Sequence, residues 1–246
     1  MGEKNRIIRK LYKLLSRRVL SNPARAGHYL PSIINTPAES APPSKRLLEL
    51  AFGAIRIASE QTITGVNEAL PDSHLYNRFP GEHYRLLKAI VRLLNPALIV
   101  EIGTFTGMGS FALRQSAQGA LHTFDILAWD TFQSHLTPGD FAEGKMVQHL
   151  ADLSDQAQFS AHKSLLESAS LIFLDGPKDG VFEARMLGLL SQLGTHPGRL
   201  LVIDDIRFVN MVDNWNAIDS PKLDLSSFGH WSGTGLVDLS EPLRLA

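Results

Sequence analysis

Apolar residues fall along this chain in short unbroken blocks, separated by polar turns and by longer stretches with a helical rhythm. A short continuous apolar run bounded by turn residues suits a strand covered on both faces, so strands are predicted at 98–102, 120–126, 146–150, 170–175 and 200–204. Helices are expected at Lys45–Gln61, Glu82–Leu94, Gly107–Ala117, Asp155–Ser168, Val181–Gly194 and Phe208–Ile218. Strands alternating with helices define an α/β fold, Rossmann-like and doubly wound, with a mostly parallel sheet. Nearly every strand delivers an acid to its C-terminal end: Glu101, Asp125, Asp175 and Asp204.

The first of these strands runs straight into a glycine-rich turn, Glu101-Ile-Gly103-Thr-Phe-Thr-Gly107-Met-Gly109-Ser110. Glycines let a backbone approach a ligand closely, and ligands of open parallel sheets sit beyond the carboxyl ends of the strands. Two cofactor classes compete for the turn. A dinucleotide fingerprint can be placed on residues 107–112, but its first glycine should follow the strand directly, where Gly103 stands instead. The spacing acid-x-Gly-x-x-x-Gly resembles the first motif of class I S-adenosylmethionine (SAM) methyltransferases. SAM has no pyrophosphate, so a wider turn offering Gly103 and Gly107 to its methionine part is physically sensible. Asp125 lies 24 positions after Glu101 and closes the second strand, where a carboxylate accepts both ribose hydroxyls. The competing reading is an acid that caps the next turn.

The third and fourth acidic strand ends carry the chemistry. Leu174-Asp175-Gly-Pro-Lys178-Asp179-Gly180 and Ile203-Asp204-Asp205 would bring Asp175, Asp204 and Asp205 together near the cofactor crevice. Three carboxylates held close without a cation repel one another and raise their pKa values. A hard divalent ion removes the problem, and oxygen ligands without cysteine favour magnesium, calcium or manganese over zinc. Asp179 is read as a cap for the helix starting near Val181.

Strand-Asp-x-x-Lys followed by strand-Asp-Asp resembles the metal-dependent O-methyltransferases, the group of the catechol, caffeoyl-CoA and macrolide-sugar enzymes. The double aspartate is closer to the macrolide-sugar branch. The likeness covers roughly Phe79 to the C-terminus. It implies a seven-stranded sheet, with the tail around Gly233-Thr-Gly235-Leu-Val-Asp-Leu forming an antiparallel hairpin at the edge. It also implies a SAM site made by Glu101, Gly103, Thr104, Gly107, Ser110, Asp125, Asp152 and Asp175, and Mg2+ or another hard dication on Asp175, Asp204 and Asp205. The metal would take the acceptor hydroxyl as a further ligand, and Lys178 would accept its proton or hold the developing alkoxide.

The acceptor expected from this chemistry is a small hydroxylated molecule: a sugar, a natural product or a catechol-like compound. A SAM-binding partner subunit without turnover is the alternative, and retention of Lys178 with three aspartates argues against it. An NAD-dependent oxidoreductase ranks third. Phe79, His83 and Tyr84 are expected to cover the SAM site, Trp129 to lie against adenine or in the core, and the His230-Trp231 loop to stand at the mouth.

Composition sets outer bounds. The 246 residues, 44% of them apolar, can bury one full α/β core plus an extension. No cysteine is present, which excludes disulfides and thiolate zinc sites. No apolar stretch has the length of a membrane span or a signal core, so a cytoplasmic location is expected. The net charge is −1, yet residues 1–25 carry +7 and the remainder −8. Ile8, Leu11, Leu15 and Val19 recur at helical spacing in that basic segment. Residues 1–44 are therefore assigned to a basic amphipathic helix and a proline-rich linker, and 45–246 to the methyltransferase-like domain. The helix is expected to pack on its own domain or on a second subunit of a homodimer, with peripheral membrane contact through residues 1–20 as the sharper alternative. No aromatic-interleaved basic patch appears in the acidic body, so no nucleic-acid partner is expected.

Overall fold

The computed structural model describes residues 41–208 and 210–246. The expected amphipathic helix of residues 1–20 and the linker as far as residue 40 lie outside the described residues. The chain runs α1 (Lys45–Glu60), α2 (Tyr84–Leu94), β1 (Leu98–Ile102), α3 (Met108–Arg114), β2 (Ala120–Asp125), α4 (Pro138–Phe141), β3 (Met146–Leu150), α5 (Gln156–Ser168), β4 (Leu171–Leu174), α6 (Val181–Leu190), β5 (Leu200–Asp204), α7 (Val212–Ala217), β6 (Lys222–Asp224) and β7 (Thr234–Asp238).

One seven-stranded sheet has the order β3-β2-β1-β4-β5-β7-β6. The first five strands are parallel, while β7 pairs antiparallel with both β5 and β6. Side chains of a strand point alternately to opposite faces, and here both faces are covered. Ile99, Leu171, Phe173 and Val202 belong to the core under α1, α2 and α3. Their neighbours Val100, Ile102, Ile172, Leu174 and Ile203 pack with Phe159 of α5 and Met186 and Leu190 of α6. That two-sided burial is why these strands read as unbroken apolar blocks. No helix among the described residues is long and apolar enough to cross a membrane.

Helix ends follow local chemistry. Ser44 accepts from the Leu47 amide and so caps α1, while its hydroxyl donates to Asp238 at the end of β7 (2.6 Å). Asp155 caps α5 by accepting from Ala157 and Gln158.

The antiparallel hairpin expected at the sheet's edge is present: β7 pairs with β5, and β6 forms the edge. One expectation needs correction: the last helix is shorter than Phe208–Ile218. Asp205 takes a left-handed φ of 59°, and turns from Asp205 to Phe208 and from Phe208 to Met211 intervene before α7.

Candidate active site

Strand register decides which side chains meet. Ile102 pairs with Phe124 and with Leu174, and Leu174 pairs with Ile203. The next residue along each strand therefore stands in one row: Gly103, Asp125, Asp175 and Asp204. This row lies at the carboxyl ends of the strands and spans the switch between β1 and β4, where the strand order reverses and open sheets bind ligands.

A cavity of about 630 Å³ opens beside the row. Gly103, Asp125, Asp152, Asp175 and Lys178 contribute its polar wall, and Phe105, Ile126, Leu127 and Phe132 its apolar one. A second space of about 460 Å³ shares Phe105, Phe132 and Asp175 and adds Tyr84, Thr104 and His135. Gly103 has φ +107°, and a Cβ there would overlap the carbonyl oxygen of Asp175, so no other residue fits. The chain ends of β1 and β4 can approach this closely for that reason.

Asp125 lines the cavity while its Oδ2 accepts from the amides of Thr104 (3.0 Å) and Phe105 (2.9 Å), and its Oδ1 from Leu127 (3.0 Å). One carboxylate thus holds the glycine turn and faces the space where a ribose would lie. Asp152 also reaches the wall, with Oδ1 accepting from the Ser154 amide and hydroxyl.

Glu101 and Ser110 sit elsewhere than expected. Both are fully buried, and neither lines either of these two spaces. The Glu101 carboxyl accepts from the hydroxyls of Ser110 and Thr123, the latter at 2.6 Å because Thr123 is its register partner on β2. Burial pushes the Glu101 carboxyl up to about 8, against the lowering effect of those two hydrogen bonds. The pair braces the turn from beneath. Gly107 likewise shapes it without reaching the cavity: with φ +82° it precedes α3, and a Cβ would strike Leu136. Trp129 does not line the cavity either; it packs against Phe141, with ring centroids 5.2 Å apart.

Asp175, Asp204 and Asp205 each lie near the ammonium of Lys178, but among the described residues the set whose donor atoms all lie within 4.8 Å of one another is His83, Asp204 and His230, not these three acids. Lys178 Nζ pairs closely with Asp175 and lies 3.4 Å from Asp205 Oδ2 and 3.7 Å from Asp204 Oδ2. Burial opposes the Lys178 charge, but Asp175, Asp204 and Asp205 outweigh it and hold the ammonium above its ordinary range. Lys178 has φ 63°, and its turn is fastened by Glu183, a buried residue of α6 that accepts from the amides of Lys178 (2.8 Å) and Gly180 (2.9 Å). Glu183 escaped the sequence reading, although its place three residues after Gly180 is a helix-start signature. Asp179 caps α6 as expected, accepting from Val181 and Phe182.

On the far side of Asp204 stands a second group the sequence did not assemble. His83 Nδ1 lies 3.0 Å and His230 Nδ1 3.5 Å from Asp204 Oδ1. His230 also meets Asp205 Oδ1 (3.0 Å) and, through Nε2, Glu82 Oε2 (3.2 Å). Burial disfavours the His230 charge, yet Asp204 and Asp205 raise it to about 10. Burial likewise opposes ionisation of Asp204, and the two imidazoles with Lys178 overcome it, holding that carboxyl well below the usual range. Loop 229–233 is tied to the segment before α2 by Gly81 donating to Gly229 (3.2 Å) and Trp231 to Gly81 (3.0 Å), which brings His230 beside Asp204 and Asp205; it lines neither of the two spaces above.

The strand order and the seven-stranded mixed sheet are a fold also found in solved methyltransferase structures. Among solved structures, a putative caffeoyl-CoA O-methyltransferase from Staphylococcus aureus shares it at TM-score 0.51 and 16% identity, over 77% of this chain and 98% of that one. A SAH-bound methyltransferase of Podospora anserina, PaMTH1, is also similar, at TM-score 0.47 and 15% identity over 80% and 88% of the two chains. No protein-family model and no curated protein matches the chain.

Proposed function

We propose that the protein transfers a methyl group from SAM to a hydroxyl of a small molecule, with a hard divalent cation assisting. The reading rests on one observation above others: a nucleoside-sized cavity shares its wall, at Asp175 and Lys178, with a cluster of three carboxylates. The residues fit both groups. The side-chain-free wall at Gly103 and the strand-end carboxylate of Asp125 suit a nucleoside with a short polar tail, and the apolar patch at Ile126 and Leu127 suits a flat base. Three carboxylates facing one ammonium suit a dication, since they already select positive charge. Bound there, SAM supplies an electrophilic methyl on a positive sulfur, and the cation supplies a Lewis acid for the acceptor hydroxyl.

The chain's own part follows from its geometry. Asp125 orients the ribose, and the turn at Gly103 lets the backbone close on the cofactor. Lys178, kept protonated by its acidic neighbours, is a poor base in this arrangement; it holds the negative charge that develops on the acceptor oxygen. The overall step loses charge, so positioning and exclusion of water carry most of the rate, and orientation of this kind supplies roughly 7–11 kcal/mol. An acceptor with a second oxygen beside the reacting hydroxyl, as in a sugar or other natural product, suits a cation held by carboxylates on one side only.

The test is Asp204→Ala. Cation-stimulated methyl transfer to a panel of vicinal diols and catechols should vanish, while SAM affinity measured by calorimetry stays within a few-fold. Unchanged turnover refutes the cation role, and NAD binding without SAM binding refutes the cofactor.

A further inference from the structure

The geometry points to a second cation site, built by His83, Asp204 and His230, that takes a borderline first-row dication such as zinc, cobalt(II) or iron(II). It shares Asp204 with the function proposed above but uses the other oxygen of that carboxylate. Oδ2 faces Lys178 and the acids, whereas Oδ1 faces the two imidazoles.

One donor atom from each of the three residues lies within 4.8 Å of the others, a span that small imidazole rotations close around a common centre. The imidazoles distinguish this set from the all-oxygen one, because nitrogen donors suit zinc, iron and nickel while carboxylates alone suit magnesium or manganese.

The second observation is what His83 lacks. His83 is 2% exposed and its Nε2 has no hydrogen-bond partner, while its Nδ1 meets Asp204 Oδ1 at 3.0 Å without forming a hydrogen bond of good geometry. Buried imidazoles normally satisfy both nitrogens, so a buried Nε2 left without a partner is unfavourable. A shared cation satisfies it. Surrounding groups already have the places that outer-shell partners of a metal-bound histidine take. Glu82 Oε2 and Asp205 Oδ1 flank opposite nitrogens of His230, so whichever nitrogen ligates, the other keeps a carboxylate to fix the ring. Ser232 in turn donates to Asp205.

The site's location gives the ion a task. His83 immediately precedes α2, Asp204 ends β5, and His230 sits in the loop bound to Gly81. An ion there clips that loop to the helix start beside the catalytic acids.

The full-length chain, stripped with chelator and dialysed against cobalt(II), should bind an ion giving the visible absorption of mixed nitrogen and oxygen ligation. That signal should be lost in His83→Gln and in His230→Gln, and retained in Asp175→Asn. Zinc at a hundredfold excess over its Kd should raise Tm by about 5–10 °C in the parent and not in the histidine variants. His83 is buried, so circular dichroism checks that its variant folds, and the more exposed His230→Gln decides if it does not. Cobalt binding unchanged in the histidine variants overturns the inference, as does a parent that binds neither cobalt nor zinc. Cobalt lost in Asp175→Asn but kept in the histidine variants places the ion among the acids; this inference then falls while the proposed function stands.

Discussion

Glu101→Gln separates a brace from a ligand. Glu101 carries no exposed surface, and burial raises its carboxyl from 4.5 to about 8. Between those values the folded state keeps the proton that the unfolded state has released. The folded protein therefore binds more protons, and stability falls as pH rises. The contribution is fully present below about 4.5 and lost as pH climbs through about 8. At 1.36 kcal/mol per unit, a shift of this size amounts to about 5 kcal/mol at most. Glutamine keeps an acceptor for Ser110 and Thr123 but cannot ionise, so its stability should lack this slope. Its amide must occupy the place of Glu101 Oε1, which has no partner, and that costs about 1–3 kcal/mol at every pH. Urea melts of both proteins at pH 5 and pH 8.5 should show the variant weaker at the acid end and gaining several kcal/mol relative to the parent at the basic end. A gap constant to within about 1 kcal/mol across that range refutes the assignment. Because Glu101 does not reach the cavity, SAM affinity at neutral pH should change by no more than a few-fold; a hundredfold loss would return Glu101 to the cofactor site.

Asp125→Ala removes the acceptor for three backbone amides and the proposed ribose contact together. Calorimetry should show SAM affinity lowered by roughly 1.5–3 kcal/mol, and unchanged affinity counts against the ribose role. Gly103→Ala forces a side chain into the Asp175 carbonyl at φ +107° and should destabilise the fold by more than about 2 kcal/mol in denaturant melts; a silent substitution would mean the chain ends of β1 and β4 do not approach as closely as described. Lys178→Met withdraws the ammonium that competes for the acids. It should tighten Mg2+ binding while slowing methyl transfer, whereas weaker Mg2+ binding would show that Lys178 does not occupy the cation's place.

β1, β4 and β5 were legible because both of their faces are buried, so periodicity had nothing polar to blur it, whereas β2 and β3 mix His122, Gln148 and His149 into partly exposed faces. The row of acids was legible because a parallel register brings Asp125, Asp175 and Asp204 level at the carboxyl ends of the strands. Elements held by tertiary contacts alone were not. β6 has only three residues, and its Lys222 is buried because its ammonium donates to the carbonyls of Trp215 and Ile218. A lysine in so short a segment gives no strand signal. The place of β7 inside the sheet depends on pairing with β5, which hydrophobicity does not encode. His83 and His230 are 147 residues apart and meet only because Gly81 and loop 229–233 pair.

The same contrast explains why the sequence found the acids but not the ammonium that stands among them. Spacing showed that three carboxylates would gather and that a positive charge had to balance them. It did not show that Lys178, three residues after Asp175, bends back through a left-handed turn to supply that charge itself. Glu183 makes the bend hold, by accepting the two amides the turn leaves free. The site thus carries a monovalent cation in place, tethered and displaceable. On the proposed function, a dication held by these acids would displace that ammonium toward the wall that Lys178 already lines, where the acceptor oxygen would develop its charge. On this view the lysine's presence among the acids and its role toward the alkoxide are successive positions of one side chain, and divalent affinity and turnover should respond in opposite directions whenever Lys178 is shortened or neutralised.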